Sequence, residues 1–372
     1  MNSIVDPNVI DIESADNFEL GGFADHNTPL IKDCWYVAAL THEVSREVIS
    51  KRLLGVDVAL YRTMAGKPVA VRNRCPHRSF PLSKGKLEGD VLVCGYHGLE
   101  MGCDGKTVAM PCQRVGGFPA VRTYPVVERY GFIWVWPGDE QQADPSKIHH
   151  LAWADDPSWA YCGGLYHVKC DYRLMIDNLM DLTHETYLHP TSIGQKEIDE
   201  TPPKTRVDGD CAITERYMEG IMAPPFWRAG LRGNNLADDV PVDRWQICRF
   251  YPPSHVLIDV GVAHAGNGGF NADPKVKASS TVIDFITPET ETSTWYFWGM
   301  ARNFNAQDQA LSEQIRSSLS KVFSEDLQML EMQQQNLERN AGRKLLNLNI
   351  DGGGVQARRL IDGLLAAEKT AV

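Results

Sequence analysis

Long apolar runs are missing from this 372-residue chain, and none approaches the roughly 20 residues that a membrane-spanning helix requires. The first residues, MNSIVDPNVIDIESADNFELGG, lack the basic region and apolar core of a signal peptide. Positive charge is also scarce, since 37 Lys and Arg stand against 48 Asp and Glu, for a formal net charge of -11. Because anionic lipid and nucleic acid attract basic surfaces, we expect no membrane or nucleic-acid partner and a cytoplasmic location.

A complete disulfide framework is disfavoured, because the nine cysteines are an odd number and the chain has no secretory features. Only Cys75 and Cys94 have a histidine at a spacing typical of metal ligands. The other seven cysteines are interpreted as structural or incidental. Cysteine usage therefore points to metal ligation at one place in the sequence.

The pattern of the chain changes twice. Residues 1–29 carry six acidic residues and no Lys or Arg, which predicts a flexible acidic arm. Short β-rich runs punctuated by Gly, Pro, Asn and Asp follow and predict an all-β domain over residues 30–150. Residues 151–372 mix helical segments, including 172–189 and 309–339, with strands over 243–262, 280–289 and 293–302. The predicted fold class is α+β, with an N-terminal all-β domain and a C-terminal α+β domain.

Two Cys-His pairs stand at the ends of CPHRSFPLSKGKLEGDVLVCGYH, Cys75 with His77 and Cys94 with His97. A zinc ion accepts two thiolates and two imidazoles, and so does a Rieske 2Fe-2S centre, in which two Cys bind one iron and two His the other. Zinc fingers usually supply both cysteines first, whereas here each pair supplies one Cys and one His. Each loop can then give one ligand to each iron, which favours the Rieske centre.

A second polar cluster lies in RLMIDNLMDLTHETYLHPTSI, residues 173–193. On a helix, Asn178, Asp181 and His184 would form a connected strip along one edge. His189 precedes Pro190, where helical geometry is disfavoured, so its side chain can turn back toward His184. The pattern predicts two histidines converging with a carboxylate.

A mononuclear oxygenase iron is bound by two histidines and one carboxylate. In the predicted helix 309–339, Asp326 falls on the apolar stripe and Glu325 falls off it. A carboxylate on a buried face needs a partner. From the residues alone, Asp326 is either the third iron ligand or one half of a buried salt bridge to an arginine.

Beyond these motifs, the sequence from about residue 30 to the C-terminus resembles the oxygenase subunits of Rieske non-haem iron oxygenases, and among them the vanillate O-demethylase group. The similarity is most evident in CGYHGLEMGCDGKTVAMP, YRLMIDNLMDLTHETYLHPTSIGQKEIDE, MAPPFWRAGLRGNNLADDVPVDRWQIC and VGVAHAGNGG. The resemblance implies a Rieske domain followed by a helix-grip catalytic domain, in a head-to-tail trimer. The acidic arm departs from the family pattern.

Carried onto matching positions, the resemblance implies that Cys75, His77, Cys94 and His97 hold the 2Fe-2S cluster. The residues it implies for the mononuclear iron are His184, His189 and Asp326. Asp181 would bridge a cluster histidine of the neighbouring subunit to an iron-ligand histidine, and Asn178 would lie near the iron.

The activity implied is an oxygenase component that converts vanillate, with O2 and electrons from a reductase, to protocatechuate and formaldehyde. The sequence has no G-x-G-x-x-G after a strand and no flavin motif, so a separate NADH-dependent flavin and iron-sulfur reductase is expected as the partner. Three alternatives stay open: an oxygenase acting on another methoxybenzoate or aryl methyl substrate, a Rieske electron carrier, and a structural zinc protein.

A benzoate substrate needs a cation or a dipole for its carboxylate. Gln246 is a candidate by its position in the family pattern, and Arg249 is a second candidate substrate residue. The other arginines considered in the catalytic half are Arg228, Arg232 and Arg244.

Overall fold

The computed structural model describes residues 29–343 and 345–370. The predicted acidic arm, apart from its last residue, lies outside the described residues. In the part of the chain that is described, no helix has both the length and the apolar character needed to cross a membrane.

The first third of the described chain forms three small antiparallel sheets. Their orders are β1-β11-β10, β2-β3-β4-β9 and β5-β6-β7-β8. The strands are β1 Tyr36–Leu40, β2 Ile49–Leu53, β3 Val56–Arg62, β4 Pro68–Arg72, β5 Lys86–Glu88, β6 Val91–Val93, β7 Glu100–Met101, β8 Thr107–Ala109, β9 Thr123–Tyr124, β10 Val126–Arg129 and β11 Phe132–Val135.

The remainder is built on one seven-stranded antiparallel sheet, ordered β12-β18-β17-β16-β15-β14-β13. Its strands are β12 Ala160–Val168, β13 Lys204–Asp208, β14 Cys211–Met222, β15 Pro241–Tyr251, β16 His255–His264, β17 Lys277–Thr290 and β18 Ser293–Arg302. The helices are α1 Tyr172–Met180, α2 Glu185–Leu188, α3 Lys196–Glu200, α4 Pro225–Gly233, α5 Gln309–Arg339 and α6 Gly352–Thr370. These elements confirm the predicted all-β plus α+β fold class.

The two faces of the large sheet bury different partners, because successive side chains on a strand point to opposite faces. Even-numbered residues such as Ile258, Val282 and Met300 pack toward α1 and α5. Odd-numbered residues such as Phe285 and Phe297 pack against β1 and β11. The sheet is therefore the middle layer, with the helices on one side and an N-terminal sheet on the other.

The prediction of one helix over residues 172–189 is wrong. Helix α1 ends at Met180, and Asp181 adopts an extended conformation with φ -96° and ψ 120°. Its carboxylate accepts hydrogen bonds of 2.7 Å from both the backbone N–H and the hydroxyl of Thr183. Such local side-chain bonds compete with the helical ladder, so the chain leaves the helix here and re-forms one turn as α2.

Candidate metal centres

The two Cys-His loops have the same backbone hydrogen-bond pattern. The N–H of Cys75 donates to the carbonyl of Phe80 at 2.9 Å, and that of Cys94 donates to the carbonyl of Leu99 at 2.8 Å. Four residues after each cysteine, Ser79 and Gly98 return an N–H to the cysteine carbonyl. Both of these residues have positive φ, 58° and 71°. The loops are thus two copies of one turn, each presenting a thiol and an imidazole.

In these loops the cysteines are buried and the histidines lie closer to the solvent. Cys75 and Cys94 are each only 2% exposed, and burial is the largest cause of a raised pKa of the Cys75 thiol. His77 and His97 lie nearer the surface with ring centroids 4.7 Å apart. An inner pair of sulfurs and an outer pair of nitrogens fit a 2Fe-2S cluster with one iron on each side.

Close backbone packing holds the two loops in register. A side chain at Gly95 would meet the carbonyl oxygen of Lys84 at 2.6 Å, so only glycine allows the second loop to approach there. This contact packs the second loop against the segment that follows the first loop.

The second group of ligands lies beside α5 and α2. Single ligand atoms of His184, His189 and Asp326 are all within 4.8 Å of one another. Asp326 Oδ1 lies 3.2 Å from His189 Nε2 and 3.6 Å from His184 Nε2. Two imidazoles and one carboxylate converging on one point match the ligand set of a mononuclear non-haem iron.

A carboxylate faces the outer nitrogen of each histidine. Glu325 Oε2 is 2.8 Å from His189 Nδ1, and Asp181 Oδ2 is 3.7 Å from His184 Nδ1. The Glu325 contact fixes the His189 ring so that its other nitrogen can face a metal, whereas Asp181 lies beyond hydrogen-bond distance of His184 Nδ1. Asn178 donates a 3.1 Å hydrogen bond to Asp326 Oδ1, which orients the third ligand.

The acidic surroundings also change how the histidines titrate. Burial lowers the pKa of both imidazoles, but hydrogen bonds and charges from Asp181, Glu325 and Asp326 outweigh it and raise the pKa overall. A site that stabilises positive charge on its imidazoles equally attracts a divalent cation.

A cavity of about 430 Å³ opens from these ligands along the helix-facing side of the sheet. Its walls combine apolar side chains of α4, the sheet and α5 with a few polar groups. The lining residues include Phe226, Trp227, Val260, Val282, Leu319 and Phe323. The volume is that of a small-molecule site, and its lining includes the candidate metal ligands His184, His189 and Asp326.

The cavity lining also contains a buried ionic network. Glu185 accepts a hydrogen bond from Gln246 Nε2 and lies 3.5 Å from Arg244 Nη2. Arg216 donates to the other end of Gln246 at 3.3 Å. Gln246 therefore lines the cavity, as expected of a substrate residue, but both ends of its amide are already paired.

Three of the four arginine candidates lie outside the cavity lining. Arg249 is three residues beyond Gln246 on β15, so it points to the opposite face, where it pairs with Asp259. Arg228 and Arg232 both pair with Asp238. None of these three arginines lines the cavity, whereas Arg244 does.

Sequence reasoning missed Glu325 and Glu185. Glu325 was noted only as lying off the apolar stripe, although that position next to Asp326 lets it reach the outer nitrogen of His189. Glu185 directly follows His184 and is only 5% exposed, so its charge had to be neutralised by a residue distant in sequence. Nothing in the local pattern identified Arg244 as that residue.

Two family models match the chain. Residues 34–125 match the Rieske [2Fe-2S] domain, and residues 168–367 match the vanillate O-demethylase oxygenase C-terminal domain. A vanillate O-demethylase oxygenase subunit of Pseudomonas sp. is 64% identical, over 91% of this chain and 96% of that protein. The oxygenase component of dicamba O-demethylase from Stenotrophomonas maltophilia is 34% identical, over 90% and 97%. The crystal structure of dicamba monooxygenase bound to 3,6-dichlorosalicylic acid superposes with a TM-score of 0.84, at 33% identity, over 92% of this chain and 99% of that one.

The fold, the two Cys-His loops and the cluster of two histidines and one aspartate define a Rieske non-haem iron oxygenase. Its cofactors are a Rieske 2Fe-2S cluster and a mononuclear iron. The chain belongs to the family of vanillate O-demethylase oxygenase subunits. It is the oxygenase component of a Rieske aryl O-demethylase. Relatives are subunits or components of multicomponent systems, so the electrons come from a separate reductase component. The oxygenase component itself uses O2 and an aromatic substrate.

Proposed function

We propose that this oxygenase component converts vanillate to protocatechuate and formaldehyde. The observation that carries the proposal is the convergence of His184, His189 and Asp326 in the wall of a cavity, in a chain 64% identical to a vanillate O-demethylase subunit. In this proposal Cys75, His77, Cys94 and His97 hold the cluster, and the three convergent residues hold the iron. The Rieske domain spans residues 30–150 and the catalytic domain residues 151–372, a division supported by the matched ranges 34–125 and 168–367.

When bound, the cluster supplies single electrons and the iron supplies O2 activation. A methyl C–H bond of the methoxy group becomes C–OH, and two electrons and two protons convert the second oxygen atom of O2 to water. The resulting hemiacetal then breaks its C–O bond, which releases formaldehyde and leaves a phenol. The cavity walls hold the methoxy carbon beside the ligands and exclude bulk water.

Asp181 is the proposed electron bridge between subunits. Its carboxylate faces His184, and both residues also line a second depression of about 270 Å³ between α1, α5 and α6. Exposed apolar residues border that depression, among them Leu346 at 68% exposure. An apolar rim around an acidic centre suits the docking of a neighbour's Rieske domain, which supports a head-to-tail homotrimer. The electron source in this proposal is an NADH-dependent flavin and iron-sulfur reductase.

The test is a stoichiometry. The iron-loaded protein, a Rieske-oxygenase reductase, NADH, O2 and vanillate are combined, and formaldehyde and protocatechuate are quantified against NADH consumed. Near-equal yields are expected. NADH consumption with peroxide but little formaldehyde would reject vanillate and direct the search to other aryl methyl substrates.

An Asp326→Ala variant is the matched control. It removes one proposed iron ligand but none of the cluster ligands, so it should keep the visible absorbance of the cluster and lose product formation. Retained product formation would contradict the assignment of Asp326. Cluster reduction without product in the wild-type protein would favour a pure electron carrier.

A further inference from the structure

The proposed substrate is a benzoate, and its carboxylate needs a positively charged partner in or near the cavity. Most cations of the catalytic half are already engaged. Arg228, Arg232 and Arg249 pair with aspartates away from the cavity. Arg244 lines the cavity but is buried against Glu185, with its Nη1 donating to Gln195 Oε1 at 2.8 Å. A substrate carboxylate at Arg244 would have to compete with a carboxylate already in place.

Lys321 is the other cation in the cavity lining. It lies on α5, its side chain is exposed, and no carboxylate of the described residues forms an ion pair with it. Gln314 and Ser318 also line the cavity and precede Lys321 by seven and three residues. At 100° per residue these three positions share one edge of the helix, so they form a polar strip beside the apolar wall.

The spacing along α5 suits a benzoate. Lys321 precedes the proposed iron ligand Asp326 by five residues, a rise of about 7.5 Å and a rotation of about 140° on the helix, and both residues line the same cavity. The rise alone is comparable to the span of a benzoate from its carboxylate to a meta substituent, and the rotation adds a sideways distance that the lysine stem has to cover. A lysine stem is flexible enough to adjust the remaining distance. Because Lys321 and the proposed iron ligands line one cavity, a carboxylate held at Lys321 would leave room for the methoxy group on the side of those ligands.

We propose that Lys321, assisted by Ser318, binds the carboxylate of the aromatic substrate and selects acidic aryl methyl ethers over neutral ones. This inference rests on the proposed function and adds a specificity-determining residue to it. Lys321 acts on binding and orientation, and it takes no part in the electron path through Asp181.

The experiment compares wild type, Lys321→Met, Lys321→Arg and the control Lys275→Met, which changes an exposed lysine outside the cavity. Each holoenzyme is assayed with vanillate and with 2-methoxyphenol, which has the same methyl ether without the carboxylate. Vanillate binding is also measured by calorimetry without reductase, so that no turnover occurs.

Loss of a charge-assisted contact should raise the KM and the dissociation constant for vanillate in Lys321→Met about tenfold or more. The kcat/KM for 2-methoxyphenol should not fall, Lys321→Arg should restore most of the affinity, and Lys275→Met should behave as wild type. Equal vanillate binding in wild type and Lys321→Met would overturn the inference, and so would a parallel loss for both substrates. Failure of wild type to demethylate vanillate would instead contradict the proposed function.

Discussion

At the residue scale, each proposed iron-ligand histidine has its own carboxylate, and the two carboxylates are suited to different tasks. Glu325 is in hydrogen-bond contact with His189, so its role is to hold the ring. Asp181 stands farther from His184, is held by Thr183, and reaches the second depression between α1, α5 and α6. Glu325 is therefore placed to orient a proposed ligand, whereas Asp181 is placed for the proposed bridge from the iron site to a neighbouring subunit.

Replacing Asp181 with Asn should leave both metal sites filled but lower turnover by about 10–100-fold, because the amide keeps the shape and loses the negative charge. Iron content and the spectrum of the cluster would establish occupancy, and formaldehyde release would measure turnover. Normal turnover by Asp181→Asn would contradict the bridging role.

Replacing Glu325 with Ala should weaken iron binding by about 10–100-fold, because the outer nitrogen of His189 loses its partner. Iron retained against a chelator is the measurement. Glu313→Ala is the matched control, since Glu313 lies on the same helix and, among the described residues, pairs with exposed Arg316. Equal iron retention by the two variants would show that Glu325 does not hold His189.

At the element scale, sequence reasoning succeeded where a pattern repeats and failed where one side chain decides. The predicted helix 309–339 coincides with α5 because its apolar stripe persists over many turns. The break at Asp181 depends on two local bonds to Thr183, which periodicity does not detect. The network of Glu185, Gln246 and Arg244 was equally out of reach, because it requires β15 and α2 to be placed side by side.

Helix α6 provides a test of how an element far along the chain supports the iron site. Gly353 packs so closely on α1 that an added Cβ would meet the carbonyl oxygen of Met180 at 2.7 Å. Gly353→Ala should therefore destabilise the fold by about 1–3 kcal/mol and disturb the start of the segment that carries Asp181. Gly363→Ala, in the same helix with open space around it, should be stabilising by up to about 1 kcal/mol. Thermal unfolding of both variants is the measurement, and equal midpoints would show that α6 is not tightly docked.

At the scale of the whole molecule, the N-terminal strands and the large sheet share one aromatic core. Phe132 and Trp134 of β11 pack edge-on against Phe285 of β17, with ring centroids 5.1 Å apart in both pairs. His255 of β16 lies in the same cluster, 5.3 Å from Trp134 and 5.1 Å from Phe285. Burial of so much aromatic surface makes the relative position of the two halves part of the folded core.

His255 makes this shared core sensitive to acid. Burial, and to a smaller extent the nearby charge of His149, together lower the pKa of His255 from 6.5 to about 3. Between those two values the unfolded chain binds a proton that the folded chain does not. The stability that the folded chain gains by keeping His255 neutral is therefore fully present above about pH 6.5. It is lost as the pH falls toward 3.

Acidification from pH 7 to pH 5 should cost the wild-type protein about 2 kcal/mol of stability through His255 alone. The substitution His255→Gln removes the ionisable group, so the thermal midpoint of that variant should fall less over the same interval, even if it starts lower at pH 7. His264→Gln makes the same change at the far end of β16, outside the aromatic core, and should follow the wild-type pH dependence. Because only the pH slope is compared, a general loss of packing in His255→Gln does not imitate the expected result. Identical slopes in wild type and His255→Gln would show that the acid sensitivity of the molecule has another source.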